Sequence, residues 1–413
     1  MEKTKTKTNM AEGSELEERK KKVAEGFAGV FGSDSHSSHT EHSTHHIPKK
    51  DVIELRKEKI SGGFSRAVGF LKKGPELFYY FALLVVIWIG VWIRTRNLGL
   101  VQAGALPADP DSALFLRYTQ TIVEQGSLQA MDALRYVPLG FNTFAESRLL
   151  SYFIAFLYKI VHIFNPVTTV LRVDMLYPII ILPFIIIAFF FLVKKIFDWK
   201  VALVASAFLA VMPTFLQRTM LGFSDKEPLG TLFFFGALYF LVSGLREENI
   251  RWRIAYGVLA GITTGLLGLT WGAVSFLFMI VGFTFLAMIL FNRFGKGELA
   301  LYISLITAML PTLFTSARYS LLGFVTDPSS GVMFLPIPIL LIFFAFNKKL
   351  KDRKVLKLPH NISSIFLGFL LVVIIFGAYR GFDQFLSILG GIKEQLLHPF
   401  GTLRLTLTVA ENQ

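Results

Sequence analysis

The chain has 413 residues, 53% of them hydrophobic and only 17% charged, with a formal net charge of +13 and no cysteine. A soluble domain carries about 25% charged residues, so this is not an ordinary globular protein, and the lack of cysteine excludes disulfides, thiolate metal sites and cysteine nucleophiles. The mean hydropathy is +0.55, and the apolar residues come in runs long enough to cross the ~30 Å hydrocarbon layer, which takes about 20 helical residues. Excess Lys and Arg is what cytoplasmic loops of a membrane protein carry, and nucleic-acid binding is set aside because the basic residues form no folded domain of their own.

Residues 1–48 are polar and repetitive (KTKTKT, EERKKK, HSSHTEHSTHH). They hold too few apolar side chains to offset the entropy of ordering, which predicts a disordered cytoplasmic tail. Its histidines, His36, His39, His42, His45 and His46, are read as part of that low-complexity tail rather than as a metal site. Residues 49–75 are basic and mildly amphipathic and are expected on the inner membrane surface, with no signal peptide before them.

A membrane bundle is predicted over 76–381, with spans at roughly 76–96, 174–193, 199–217, 229–245, 253–270, 272–291, 299–317, 332–347 and 362–381. A further run, 149–164, is short and contains Lys159 and His162, so it is read as an interfacial helix. Leaving it out puts Lys194, Lys195 and Lys200, then Arg246, Arg251 and Arg253, then Arg293 and Lys296, then the run from Lys348, all on the side of the N-terminal tail. That satisfies the positive-inside rule; counting it as a span would invert every later loop. Nine spans follow, with the N-terminus inside and the C-terminus outside, and only Arg94 and Arg96 against the pattern. Two outer loops are long, 97–173 and 382–413, and long loops are generally functional.

The first of them contains ALPADPDSALFLRYTQTIVEQG. Pro110 holds Asp109 and Asp111 on extended backbone, and a helix is expected from Asp111 as N-cap to Gly126. The next outer turn, RTMLGFSDKEPLG, has Ser224 and Glu227 at capping-box spacing, with Pro228 in the first helical turn. The last loop ends in TLTVAENQ, with Glu411. Singly, these acids are caps and solvated loop residues. Together they are a concentration of carboxylates at one membrane face, while no span carries an Asp or Glu in its interior, where ion and proton pathways would put one. Converging carboxylates raise one another's pKa unless a cation neutralises them. An all-oxygen set suits Mg²⁺ or Mn²⁺, and Arg218 beside helix N-termini suits a phosphate.

These motifs resemble the catalytic subunit of oligosaccharyltransferase, most of all its archaeal single-subunit form. That family has a first-loop acid with an Arg six residues on, matched by Asp111 and Arg117. Its P…R…G..DxE pattern is matched by Pro213, Arg218, Gly222, Asp225 and Glu227, its fifth-loop motif by Thr408, Val409, Ala410 and Glu411, and its Trp-Gly pair by Trp271 and Gly272.

The resemblance implies an all-α polytopic membrane bundle of the GT-C glycosyltransferase type. It also implies transfer of an oligosaccharide from a dolichyl-phosphate-type carrier to Asn in N-x-S/T sequons. Asp111 and Glu411 would bind the acceptor amide; Asp111, Asp225 and Glu227 would hold Mg²⁺ or Mn²⁺; Arg218 would sit at the phosphate. The partners implied are a lipid-linked oligosaccharide donor, an acceptor polypeptide and the membrane. The chain stops two residues after Glu411, so the resemblance further implies C-terminal incompleteness. Later spans and a soluble domain with the sequon-reading WWDYG motif would lie beyond Gln413, or a separate chain would supply that role. The remaining readings are a polyprenyl-phosphate glycosyltransferase with another acceptor and a lipid or solute transporter. The chain's own sequon, Asn361-Ile362-Ser363, is expected on the cytoplasmic side and unmodified.

Overall fold

The computed structural model describes residues 74–99, 109–350 and 360–397. The tail 1–48, nearly all of 49–75 and Glu411 with its motif lie outside the described residues.

The helices in chain order are α1 (Gly74–Arg94), α2 (Pro110–Gln125), α3 (Leu149–Phe164), α4 (Val170–Ile196), α5 (Trp199–Val211), α6 (Pro213–Arg218), α7 (Lys226–Arg246) and α8 (Ile250–Thr270). They continue as α9 (Val274–Leu290), α10 (Lys296–Leu313), α11 (Leu321–Thr326), α12 (Pro328–Phe334), α13 (Pro336–Leu350), α14 (His360–Arg380) and α15 (Phe382–Leu397). Each expected span falls mainly on helix, though 199–217 is broken at Met212–Pro213 into α5 and α6, and 332–347 at Leu335 between α12 and α13. Among the described residues, five helical stretches are long and apolar enough to cross a membrane: Phe78–Asn97, Val170–Ile196, Lys226–Arg246, Ile250–Thr270 and Asn361–Tyr379. Leu149–Phe164, Trp199–Val211, Val274–Leu290 and Ser329–Phe344 are apolar but shorter.

Two local features depart from the sequence reading. The first long loop folds into α2, a two-stranded hairpin and α3; the hairpin pairs β1 (Met131–Asp132) with β2 (Phe141–Asn142), Asp132 opposite Phe141. The described residues are thus mostly helical, with one small hairpin added to the expected helices. The segment from 382 begins with α15 instead of loop, turned against α14 at Gly381 (φ 92°) with Phe385 against Phe376.

Packing centres on α4, whose Leu182, Ile185, Ile186 and Phe190 are fully buried between α1, α5 and α7. The α8–α10 pair depends on small residues. A Cβ at Gly261 would lie 2.2 Å from the carbonyl oxygen of Leu305, and one at Gly257 2.8 Å from that of Leu301. Glycines four apart bring two backbones together where lipid supplies no hydrophobic drive.

The basic turns gather at one end of the bundle. Arg246 donates to the carbonyls of Lys195 and Ile196, Arg253 pairs with Glu298 at 2.7 Å, and the Asn361 amide donates to Leu290 O. Asp225 caps the opposite end of α7, roughly 30 Å away at 1.5 Å per residue. Arg94, one exception to the charge pattern, is fully buried. It donates to Thr219 Oγ1 (2.7 Å), Gly90 O (3.0 Å) and Ala210 O (2.8 Å) and lies over Phe215. It acts as an internal staple, so its charge does not report topology as a solvated loop residue would.

Candidate active site

Asp109, rather than Asp111, caps α2. Its Oδ2 accepts from the N–H groups of Asp111 (3.0 Å) and Ser112 (3.2 Å), with Pro110 at the first helical position. Proline needs no partner for an N–H there and arrives with helical φ, which moves the cap one residue upstream of it. Asp111 is thereby released from capping, and its side chain is 57% exposed. The helix ends at Gly126 with φ 83°, as expected.

Asp225, rather than Ser224, caps α7, accepting from Lys226 N at 2.6 Å. Glu227 follows in the first turn and Pro228 after it. Ser224 is buried and donates its hydroxyl to Asp174, a residue the sequence reading left as the edge of a span. Asp174 lies one turn into α4 with no exposure, and its Oδ1 has no protein partner. Three more bonds hold the same turn to α4. Gly222, at φ 90°, donates to Met175 O at 3.0 Å. Tyr177 OH accepts from Leu229 N at 2.8 Å and donates to Asp225 O at 3.3 Å. The start of α4 therefore fixes the backbone that carries Asp225.

One carboxylate oxygen each from Asp109, Asp111 and Asp225 lies within 4.8 Å of the others. Lys226 Nζ stands 3.6 Å from Asp111 Oδ2 and lies over the Phe115 ring. Burial, with the Asp111 charge added, pushes the Asp225 carboxyl above its ordinary range. Glu227 stands beside this trio. Its Oε1 receives Arg218 Nη1 at 3.3 Å, while its Oε2 is buried without a protein partner. The sequence reading placed Asp109 outside the metal set; the structure places its carboxylate beside those of Asp111 and Asp225.

Arg117 turns elsewhere. It pairs with Asp132, which also accepts from Tyr118 OH at 3.0 Å and Leu134 N at 3.0 Å. The Arg117 guanidinium pulls the Asp132 carboxyl from 3.8 down to about 2. Arg135 extends the network, donating to Tyr118 OH (3.2 Å) and pairing with Glu146 (3.1 Å). This ties the hairpin to α2. Trp271 packs on Gly230, where a Cβ would come 2.8 Å from the indole, so the Trp-Gly pair abuts the first turn of α7.

The helical bundle, with acids converging at the helix starts of one end, has counterparts among solved structures. The Archaeoglobus fulgidus oligosaccharyltransferase, solved with an inhibitory peptide and a dolichol-phosphate, matches with TM-score 0.61 and 20% identity, over 81% of this chain and 40% of that one. The same protein solved with zinc and sulfate matches with TM-score 0.56 and 20% identity, over 72% of this chain and 40% of that one. Residues 105–389 match the family described as oligosaccharyl transferase STT3, N-terminal, and the chain belongs to that family.

Two relatives align in part. Dolichyl-phosphooligosaccharide-protein glycotransferase 3 of Archaeoglobus fulgidus is 32% identical over 171 residues, 39% of this chain and 17% of that protein. Dolichyl-phosphooligosaccharide-protein glycotransferase of Methanococcus voltae is 27% identical over 146 residues, 34% of this chain and 16% of that protein. The chain thus matches under half the length of each of these proteins.

Proposed function

We propose that the chain transfers an oligosaccharide from a dolichyl-phosphate-type donor to the Asn of N-x-S/T sequons. The observation that carries this reading is the convergence of Asp109, Asp111 and Asp225 beside the Arg218–Glu227 pair, in a chain of the STT3 family.

The donor set fits a hard divalent cation: three carboxylates meet, with neither His nor Cys among them, which favours Mg²⁺ or Mn²⁺. Asp111 and Asp225 would hold it with Asp109, and Glu227 through its free Oε2. When bound, the ion supplies Lewis-acid stabilisation of negative charge on the leaving phosphate. Asp111, exposed and not used as a cap, accepts an N–H of the acceptor amide, and Glu411 accepts the other. Binding both N–H groups orients a nitrogen whose lone pair is otherwise delocalised into its carbonyl. Arg218 donates to the phosphate from the far side of Glu227.

In this reading nine helices cross the membrane, the N-terminus is cytoplasmic, the acids face outward and 382–413 begins the fifth outer loop.

The test uses the 413-residue chain in lipid nanodiscs with a dolichyl-linked oligosaccharide, an N-x-T peptide and Mn²⁺, reading both glycopeptide and free oligosaccharide. Metal-dependent cleavage of the donor is expected, cut roughly 10²-fold or more by Asp111→Ala and Asp225→Ala. Transfer to Ser peptides instead of Asn would move the chain to another acceptor class. A glycan at Asn361 would overturn the orientation.

A further inference from the structure

On the same end of the bundle as the acids, a cavity of about 210 Å³ opens between the start of α3 and the turn after α10. It is small against the ~300–1,000 Å³ of drug-sized pockets, which leaves room for about one sugar ring. Two guanidinium groups line it, Arg148 and Arg318. Arg318 Nη1 donates to Ser147 Oγ at 2.8 Å, and Arg148 lies over the Phe144 ring at 4.4 Å. The one carboxylate in the wall, Glu146, is already taken by Arg135 and by Ser147 N. Among the described residues neither arginine pairs with an acid. The cavity wall thus holds two arginines without an acid partner and one carboxylate already paired, and α3 starts in that wall without a side-chain cap. Its first N–H groups add to the attraction for an anion.

The remaining wall is suited to a saccharide rather than to a bare anion. Tyr152 and Tyr319 contribute aromatic rings, each held by its hydroxyl: Tyr152 OH accepts from Leu128 N at 3.4 Å, and Tyr319 OH donates to Gly268 O at 2.7 Å. Thr315 and Ser316 add hydroxyls. A second cavity, of about 290 Å³, shares Arg318 and Tyr319, so a neighbouring ring has a place to continue. The route back to the acids is short. Gly268 lies on the last turn of α8, which leads into Trp271, packed on Gly230 of α7. Leu150 at the start of α3 shares a buried cluster with Phe115, over which Lys226 sits.

We propose that this cavity binds one acidic sugar ring, its carboxylate held between Arg148 and Arg318. That the ring belongs to the donor oligosaccharide rests on the transferase reading; the binding itself does not.

The experiment titrates the full chain in detergent micelles, without divalent metal, with methyl glucuronide, methyl glucoside and inorganic phosphate, followed by saturation-transfer NMR. Methyl glucuronide binds, and the glucoside binds ~10-fold more weakly or not at all, since a hydrogen bond to a charged group contributes about 1.5–3 kcal/mol. Arg318→Gln and Arg148→Gln each weaken the glucuronide ~10-fold or more, while Arg318→Lys retains part of the affinity at an unchanged melting temperature. Equal binding of the glucoside, phosphate binding as tight as the glucuronide, or indifference to both Gln variants overturns the proposal. The parent chain separates the two readings: glucuronide binding by a parent that cleaves no donor sinks the transferase reading and leaves the cavity assignment standing, while Asp111→Ala, which disables the acids alone, leaves glucuronide binding intact.

Discussion

The Ser224 hydroxyl donates to the buried carboxylate of Asp174, fifty residues earlier in the chain, and so fixes the turn that presents Asp225. Ser224→Ala leaves that carboxylate, whose Oδ1 is already unpartnered, without a donor at about 1–3 kcal/mol. Asp174→Ala removes the carboxylate and strands a hydroxyl. The double variant is expected to lose less than the sum of the two, because it removes both polar partners. Thermal unfolding of the four proteins in micelles checks this, and strict additivity would show that the pair is not coupled.

Asp109 has two duties that substitution can separate. Asn retains a side-chain oxygen able to cap α2 but carries no charge. Asp109→Asn is therefore expected to keep its melting temperature while losing ~10-fold or more in Mn²⁺ affinity, by analogy with loss of one charged hydrogen-bond partner. Asp109→Ala should lose both. Electron paramagnetic resonance of free Mn²⁺ reads the affinity, and a normal value in the Asn variant would remove Asp109 from the metal set.

The Arg117–Asp132 pair makes the hairpin sensitive to acid. The folded Asp132 pKa, about 2, is below its unfolded value. Its stabilisation is therefore complete above about pH 4 and lost as pH falls through 2. With Arg117 partly exposed, screening reduces the effect to about 1–2 kcal/mol. Hydrogen exchange at 131–142 should accelerate from pH 4 to 2 beyond its intrinsic trend. Asp132→Asn should be faster already at pH 4 and show no such step.

At Gly261 a methyl group meets the Leu305 carbonyl, a backbone atom that cannot swing aside. Gly261→Ala should cost about 1–3 kcal/mol through forced separation of α8 and α10, and Gly261→Leu should abolish folding. Gly272→Ala, with open space around its Cβ position, is the matched control, and its melting temperature should stay within a degree or two of the parent's.

The helices were legible because apolar length and flanking charge are local properties, and each expected span falls mainly on helix. The caps were misplaced at both acid turns, by two residues at α2 and by one at α7, for different reasons. At α2 the proline took the first helical position and displaced the cap to Asp109. At α7 a distant carboxylate, Asp174, claimed the serine that local spacing assigned to the helix. Asp174 stood at the head of an apolar run, and an acid there was the available signal of a buried partner. Arg117 illustrates the limit of motif spacing: its six-residue offset from Asp111 is intact, yet its charge goes to Asp132, which no spacing rule connected to it.

Arg94 grips the carbonyl of Ala210 and the hydroxyl of Thr219, on either side of the short helix that ends in Arg218. The first span thereby clamps both flanks of the arginine that pairs with Glu227. A defect at Arg94 would present in a functional screen as a lesion of the acid site, although no atom of Arg94 needs to touch a substrate. Changes along α1 that unseat Arg94 would therefore register at a turn more than a hundred residues downstream.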